Sequence, residues 1–129
     1  MNKFVVDTSA WIEYLEGTDK GTVVREWIER PDTALLTTGL IIAEVIAKHL
    51  KEKKDAGQAF GALQALARIV PFDAQLGREA AEVYARHRKA KGKFGLADAH
   101  VVAAARLHGA KVLTCDNDFT GISEAIVLR

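Results

Sequence analysis

Four acidic residues carry the chemistry that this sequence can be asked about. Asp7 closes the apolar run Phe4-Val5-Val6, and Asp116 follows Lys111-Val112-Leu113-Thr114 with only Cys115 between. Both runs read as short buried strands, so both carboxylates fall at strand carboxyl ends, where open α/β sheets gather their ligands. Asp also forms turns and caps there, and that explains either residue taken alone. Asp98 is a sharper case. A helix over Leu96 to His108, turning about 100° per residue, sets Val101, Val102 and Ala105 beside Asp98 and carries His100, Arg106 and His108 elsewhere. An acid isolated on an apolar face needs a cation, a metal or a proton, unless it caps the first turn. Glu44 is flanked by Leu40, Ile41 and Ile42 and by Val45 and Ile46, near a helix start whose dipole favours negative charge. It also stands four residues before Lys48, the spacing of a solvated ion pair.

Together Asp7, Glu44, Asp98 and Asp116, with Asp118 nearby, offer hard oxygen donors from four segments, a set suited to Mg²⁺ or Mn²⁺ rather than zinc. A divalent ion held there could polarise a phosphodiester and lower the pKa of a bound water. His49, His87, His100 and His108 follow no metal or triad spacing and read as core or surface residues. Cys115 reads as a small buried hydrophobe, and Trp11 and Trp27 read as core rather than as base-stacking platforms.

The elements that must position these acids alternate along the chain. Strands are expected at Phe4 to Val6, Ala34 to Thr37, briefly at Ile69 to Phe72, at Lys111 to Thr114 and at Ala125 to Leu128. Helices are expected over Ala10 to Glu16, Thr22 to Arg30, Leu40 to Lys54, Ala56 to Ile69, Asp73 to about Ala90, and Leu96 to His108. Strands separated by helices predict an α/β domain with a mostly parallel sheet, its strand order unspecified by pattern. With no linker or repeat, residues 1–129 read as one domain.

Composition narrows the function classes. Lys and Arg number 18 against 17 Asp and Glu, so a formal charge of +1 gives no global attraction to nucleic acid or to a membrane surface, and any charged site must be local. One such locality is basic: Arg86, Arg88, Lys89, Lys91 and Lys93 precede Asp98 with no acid after Glu82, and read either as a rim for an RNA backbone or as a solvated helix end. A lone cysteine precludes an internal disulfide. No charge-free stretch, Thr33 to Ala43 included, reaches the ~18 apolar residues of a membrane helix, and the N-terminus lacks a signal-peptide core. A cytoplasmic protein is expected.

At these residues the chain resembles PIN-domain ribonucleases, and more narrowly the VapC toxins of VapBC toxin–antitoxin pairs. The resemblance runs through Phe4-Val5-Val6-Asp7-Thr8-Ser9-Ala10-Trp11-Ile12, Ile41-Ile42-Ala43-Glu44-Val45, Leu96-Ala97-Asp98-Ala99 and Leu113-Thr114-Cys115-Asp116-Asn117-Asp118-Phe119. It implies a PIN-like, Rossmann-like three-layer fold with a central parallel five-stranded sheet. It also implies a Mg²⁺- or Mn²⁺-dependent endoribonuclease. By position Asp7, Glu44, Asp98 and Asp116 take the catalytic and metal-site roles, with Asp118 as an additional acid and Ser9 and Thr114 as supporting hydroxyls. Some members carry Asn at the position of Asp116, and here the acid is kept. RNA as substrate, a VapB-like antitoxin and a homodimer are implied as well. The first two helices carry Trp11, Tyr14, Leu15, Val23, Val24, Trp27 and Ile28, more apolar surface than one modest helix face needs, so a partner groove competes there with core packing. The alternatives within the fold are a PIN nuclease of RNA processing or decay without an antitoxin, and a non-catalytic RNA-binding PIN domain. A haloacid-dehalogenase-type phosphatase would need an acid at Ser9, and a receiver domain would need an acid pair after the first strand.

Overall fold

The computed structural model describes residues 1–90 and 92–129. Among the described residues five strands form one parallel sheet: β1 (Asn2–Val6), β2 (Thr33–Thr38), β3 (Ala67–Val70), β4 (Lys111–Thr114) and β5 (Ala125–Val127), in the order β3-β2-β1-β4-β5. Six α-helices connect them: α1 (Thr8–Glu16), α2 (Asp19–Ile28), α3 (Gly39–Lys51), α4 (Ala56–Leu66), α5 (Ala74–His87) and α6 (Leu96–Leu107). Helix α1 packs on α2 and α3, and α3 on α4. In a separate group α5 packs on α6, which lies on β1 and β4. The expected three-layer α/β fold with a parallel five-stranded sheet is therefore the one observed.

The core follows from the sequence pattern. Val5, Val6, Leu36, Val112 and Leu113 of the three central strands are buried, as both-face coverage of a parallel sheet requires. Helix α6 is buried continuously from Ala99 to Ala105, and its alanines allow the close approach that a helix lying on the sheet needs. Helix α2 lies against α1 through Gly21, where a Cβ would come within 2.1 Å of the Glu13 carbonyl oxygen.

The expected boundaries need correction at four places. Helix α2 begins at Asp19, ahead of Thr22, because Thr18 accepts a hydrogen bond from the Gly21 N–H as its cap. Helix α3 stops at Lys51, ahead of Lys54, and Lys53 adopts positive φ. Helix α4 ends at Leu66 because Ala67 to Val70 leave the helix to pair with Leu35 to Thr38 of β2, so the third strand lies earlier than Ile69 to Phe72. Helix α5 ends at His87. The 3₁₀ turn at Asn117–Phe119 was unforeseen in the pattern.

Candidate active site

The strand order reverses between β1 and β4. The chain leaves β1 toward β2 and β3, then returns to β4 on the other side, and the crevice at such a switch point is where open parallel sheets bind ligands. Asp7 follows β1, Thr114 ends β4, and Val6 pairs in register with Leu113, so these side chains become neighbours although 107 positions separate them. Helix α3 springs directly from β2 and carries Glu44, while α6 carries Asp98 in its first turn. Asp7, Thr8, Ser9, Ile12, Glu13, Glu44, Lys48, Asp98 and Asp116 line one cavity of about 330 Å³.

Each of the four acids is held by one oxygen. Asp7 Oδ2 accepts from the hydroxyls of Ser9 (3.1 Å) and Thr114 (2.9 Å). Those hydroxyl oxygens in turn accept the backbone N–H of Cys115 and of Asp116, both at 3.0 Å, which aims their protons at Asp7. Glu44 Oε1 accepts from Thr8 Oγ1 at 2.8 Å. Asp98 Oδ2 accepts the Gly95 N–H at 3.0 Å, and Asp116 Oδ1 the Asp118 N–H at 2.8 Å. In every case the second oxygen has no side-chain donor, and among the described residues no ion pair reaches any of the four.

The capping explanations raised for these acids are thus realised in part. Asp98 and Asp116 each spend one oxygen on a backbone N–H and still border the cavity, whereas Asp7 occupies the cap position of α1 without capping it. The expected Glu44–Lys48 ion pair does not form: Lys48 Nζ lies 3.8 Å from Glu52, and Glu44 is held by Thr8.

Electrostatically the site is strained. Burial raises the carboxyl of Asp7 from 3.8 to about 6, against the opposing pull of the Thr114 and Ser9 hydroxyls, and the charge of Asp98 adds to the rise. Asp98 is raised as well, first by burial and then by Asp116, Asp118 and Glu44. Mutually repelling hard-oxygen donors that no described cation pairs with are a set that a divalent cation fits. No three acidic, histidine or cysteine side chains among the described residues converge on one point.

Asp118 stands apart from this cavity. It lines a neighbouring one of about 280 Å³ together with Lys93, and reaches the acidic site through its charge on Asp98 and its N–H on Asp116. Arg86, Arg88, Lys89 and Lys93 are exposed, and Lys91 lies outside the described residues. Sequence reasoning gives Thr8 and Glu13 no place at the site and takes Lys48 only as an ion-pair partner for Glu44. Glu13 stands four positions after Ser9, so helical spacing from a recognised residue could have found it.

The four histidines stay outside the cavity lining. His100 is fully buried: its Nδ1–H donates to the Ala97 carbonyl, Nε2 faces the Thr38 hydroxyl at 2.8 Å, and burial lowers its pKa. That bond joins the cap of α3 to α6, the two helices that carry Glu44 and Asp98. His49 is buried with Nδ1–H donating to the Val45 carbonyl at 2.9 Å. Trp11 is fully buried, as expected, while Cys115 is only half-buried.

Comparison with known proteins agrees with this geometry. The sequence profile of the PIN domain matches residues 4–125. The chain belongs to the PIN-domain family. The acids described above therefore occupy a PIN fold, and solved structures of VapC toxins share it. Mycobacterium tuberculosis VapC20, described as a Sarcin-Ricin loop cleaving toxin, superimposes with a TM-score of 0.75 at 24% identity, covering 99% of this chain and 100% of that one. A chain of VapBC2 from Rickettsia felis, solved bound to a DNA fragment from their promoter, gives 0.75 at 16% identity over 97% and 96%. A chain of VapBC-1 from nontypeable Haemophilus influenzae gives 0.72 at 18% over 97% of each. Nothing among curated proteins matches the sequence. No helix among the described residues is long and apolar enough to cross a membrane.

Proposed function

We propose that this PIN domain, spanning residues 1–129, is a divalent-metal-dependent endoribonuclease and the toxin of a VapBC-type pair acting in the cytoplasm. The observation that carries the reading is the set of four carboxylates at the sheet's switch point, each fixed through one oxygen and none in an ion pair with a described side chain. Asp7, Glu44, Asp98 and Asp116 would hold the ion. When bound, Mg²⁺ or Mn²⁺ supplies positive charge that polarises a phosphodiester and eases deprotonation of water.

The chain's own residues do the rest. Ser9 and Thr114 orient Asp7, and Thr8 orients Glu44, so the donors are pre-arranged before substrate arrives. Asp118 adds negative potential at Asp98. Arg86, Arg88, Lys89, Lys91 and Lys93 supply a basic rim for the RNA backbone.

The antitoxin and homodimer parts of the reading rest on the family resemblance and on surface. Of the large residues on the first two helices, Trp11, Val24 and Ile28 go to the core, while Tyr14 and Leu15 border a second cavity of about 650 Å³ in which Ala59 and Ala62 add apolar surface and Glu16, Thr18, Arg25, His49, Lys54, Asp55 and Gln58 add polar and charged groups. Such a groove suits a helical segment of a VapB-like partner. Exposed Leu40, Phe72 and Leu96 offer apolar surface to a second copy of the chain.

The test is RNA cleavage by purified protein with Mg²⁺ or Mn²⁺. Cleavage leaving 5′-phosphate and 3′-hydroxyl ends, lost in EDTA and in Asp98→Asn and suppressed by the protein encoded directly upstream, is the expected result. Asp98→Asn with full activity would overturn the site. Activity untouched by the upstream protein would leave a stand-alone RNA-processing nuclease.

A further inference from the structure

The acidic cavity holds one basic side chain among its described lining residues, Lys48. It stands one helical turn beyond Glu44 on α3, hence on the same face, and its side chain is 48% exposed. Its ammonium is weakly committed. The partner Glu52 lies at 3.8 Å and turns its other oxygen to Lys54 at 3.2 Å, while Glu44, one turn back on the same helix, is bound by Thr8. Half-exposed and paired only at 3.8 Å, Lys48 stands beside five carboxylates of the lining without an ion pair to any of them, and its flexible stem suits a phosphate oxygen as a point charge.

Position adds a direction. In the sheet β2 and β4 flank β1. Lys48 rides on the helix that follows β2, and Lys93 shares a cavity with Asp118, just beyond β4. An RNA strand drawn across the carboxyl ends of the strands would therefore meet a cation on each side of the acids. We infer that Lys48 is a substrate-contacting residue, its ammonium binding a phosphate oxygen of the RNA on the β2 side of the cavity. This inference rests on the nuclease reading above and names a residue that the acidic motif does not contain.

The measurement is affinity for a single-stranded RNA oligonucleotide against salt concentration, in the Asp98→Asn background so that no cleavage intervenes, with Mn²⁺ affinity measured by calorimetry in the wild-type background. Lys48→Met keeps the apolar stem and removes the charge. It should weaken RNA binding about 5- to 10-fold at low salt and reduce the salt slope by about 0.7, the value of one lost single-strand phosphate contact. Mn²⁺ should bind the variant about two-fold or more tightly, because a positive charge has left the carboxylates. Lys48→Arg should restore the RNA affinity and slope, and Glu52→Gln should leave both near wild type.

Unchanged RNA affinity and slope in Lys48→Met would overturn the assignment. Weaker Mn²⁺ binding in that variant would also overturn it, since it would make Lys48 a structural brace for the carboxylates. Failure of the wild-type chain to cleave RNA would instead sink the nuclease reading and the assignment with it.

Discussion

At the scale of single residues the site trades stability for chemistry, and Asp7 carries most of the cost. Its carboxyl sits at about 6 in the fold against 3.8 ordinarily, because burial disfavours the charge more than two hydroxyls can restore. Between those values the folded chain keeps a proton that the unfolded chain has released. This contribution is therefore most favourable below the unfolded value and is lost as pH rises through the folded one. Asp7→Asn removes the charge and retains an oxygen for Ser9 and Thr114. The metal-free variant should exceed wild type in stability by about 1 kcal/mol near pH 4.5, widening to about 3 kcal/mol near pH 7.5. Urea unfolding at the two pH values measures the difference, and a variant less stable than wild type at both would contradict the account. Function resides in the charge, so the same substitution should abolish cleavage.

At the scale of elements the close contact between α1 and α2 positions one side of the cavity, since Glu13 of α1 lines it. Thr18 caps α2 and donates its hydroxyl to the Glu13 carboxylate, and Gly21 lets α2 approach to where only a hydrogen fits. Gly21→Ala should cost about 2 kcal/mol or more, because the atoms its Cβ would meet, in Glu13 and Tyr14, are backbone atoms that cannot step aside. Gly39→Ala, where a Cβ meets nothing within 4 Å, should stay within about 0.5 kcal/mol of wild type by thermal melting. Equal melting temperatures for the two variants would refute this packing argument. The same scale shows what was legible in the chain. Strands β1 and β4 were readable because apolar β-branched runs end abruptly on polar residues, and with them came Asp7 and Asp116. The α4–β3 junction was not, because Ala67 and Arg68 continue a helical composition and only pairing with Leu35 and Leu36 of β2 makes them strand. From sequence Lys48 reads as a partner for Glu44, because spacing on one helix cannot reveal Thr8 arriving from another.

At the scale of the whole molecule a net charge of +1 hides a separation, acids at the strand ends and exposed bases at the α5–α6 connection. Binding to RNA should depend on the local bases rather than on the total. Lys89→Ala with Lys93→Ala should weaken RNA affinity at low salt and lower the salt slope by about 1.4. An unchanged slope in a binding titration would assign those lysines to solvated helix ends. The central claim is that the four carboxylates form a divalent-cation site that the fold builds at its switch point. Calorimetric titration of the metal-free chain with Mn²⁺ tests it most directly. The account predicts saturable binding to wild type that is lost in Asp7→Asn and in Asp98→Asn while their circular dichroism stays native. Wild-type affinity in both variants would contradict it.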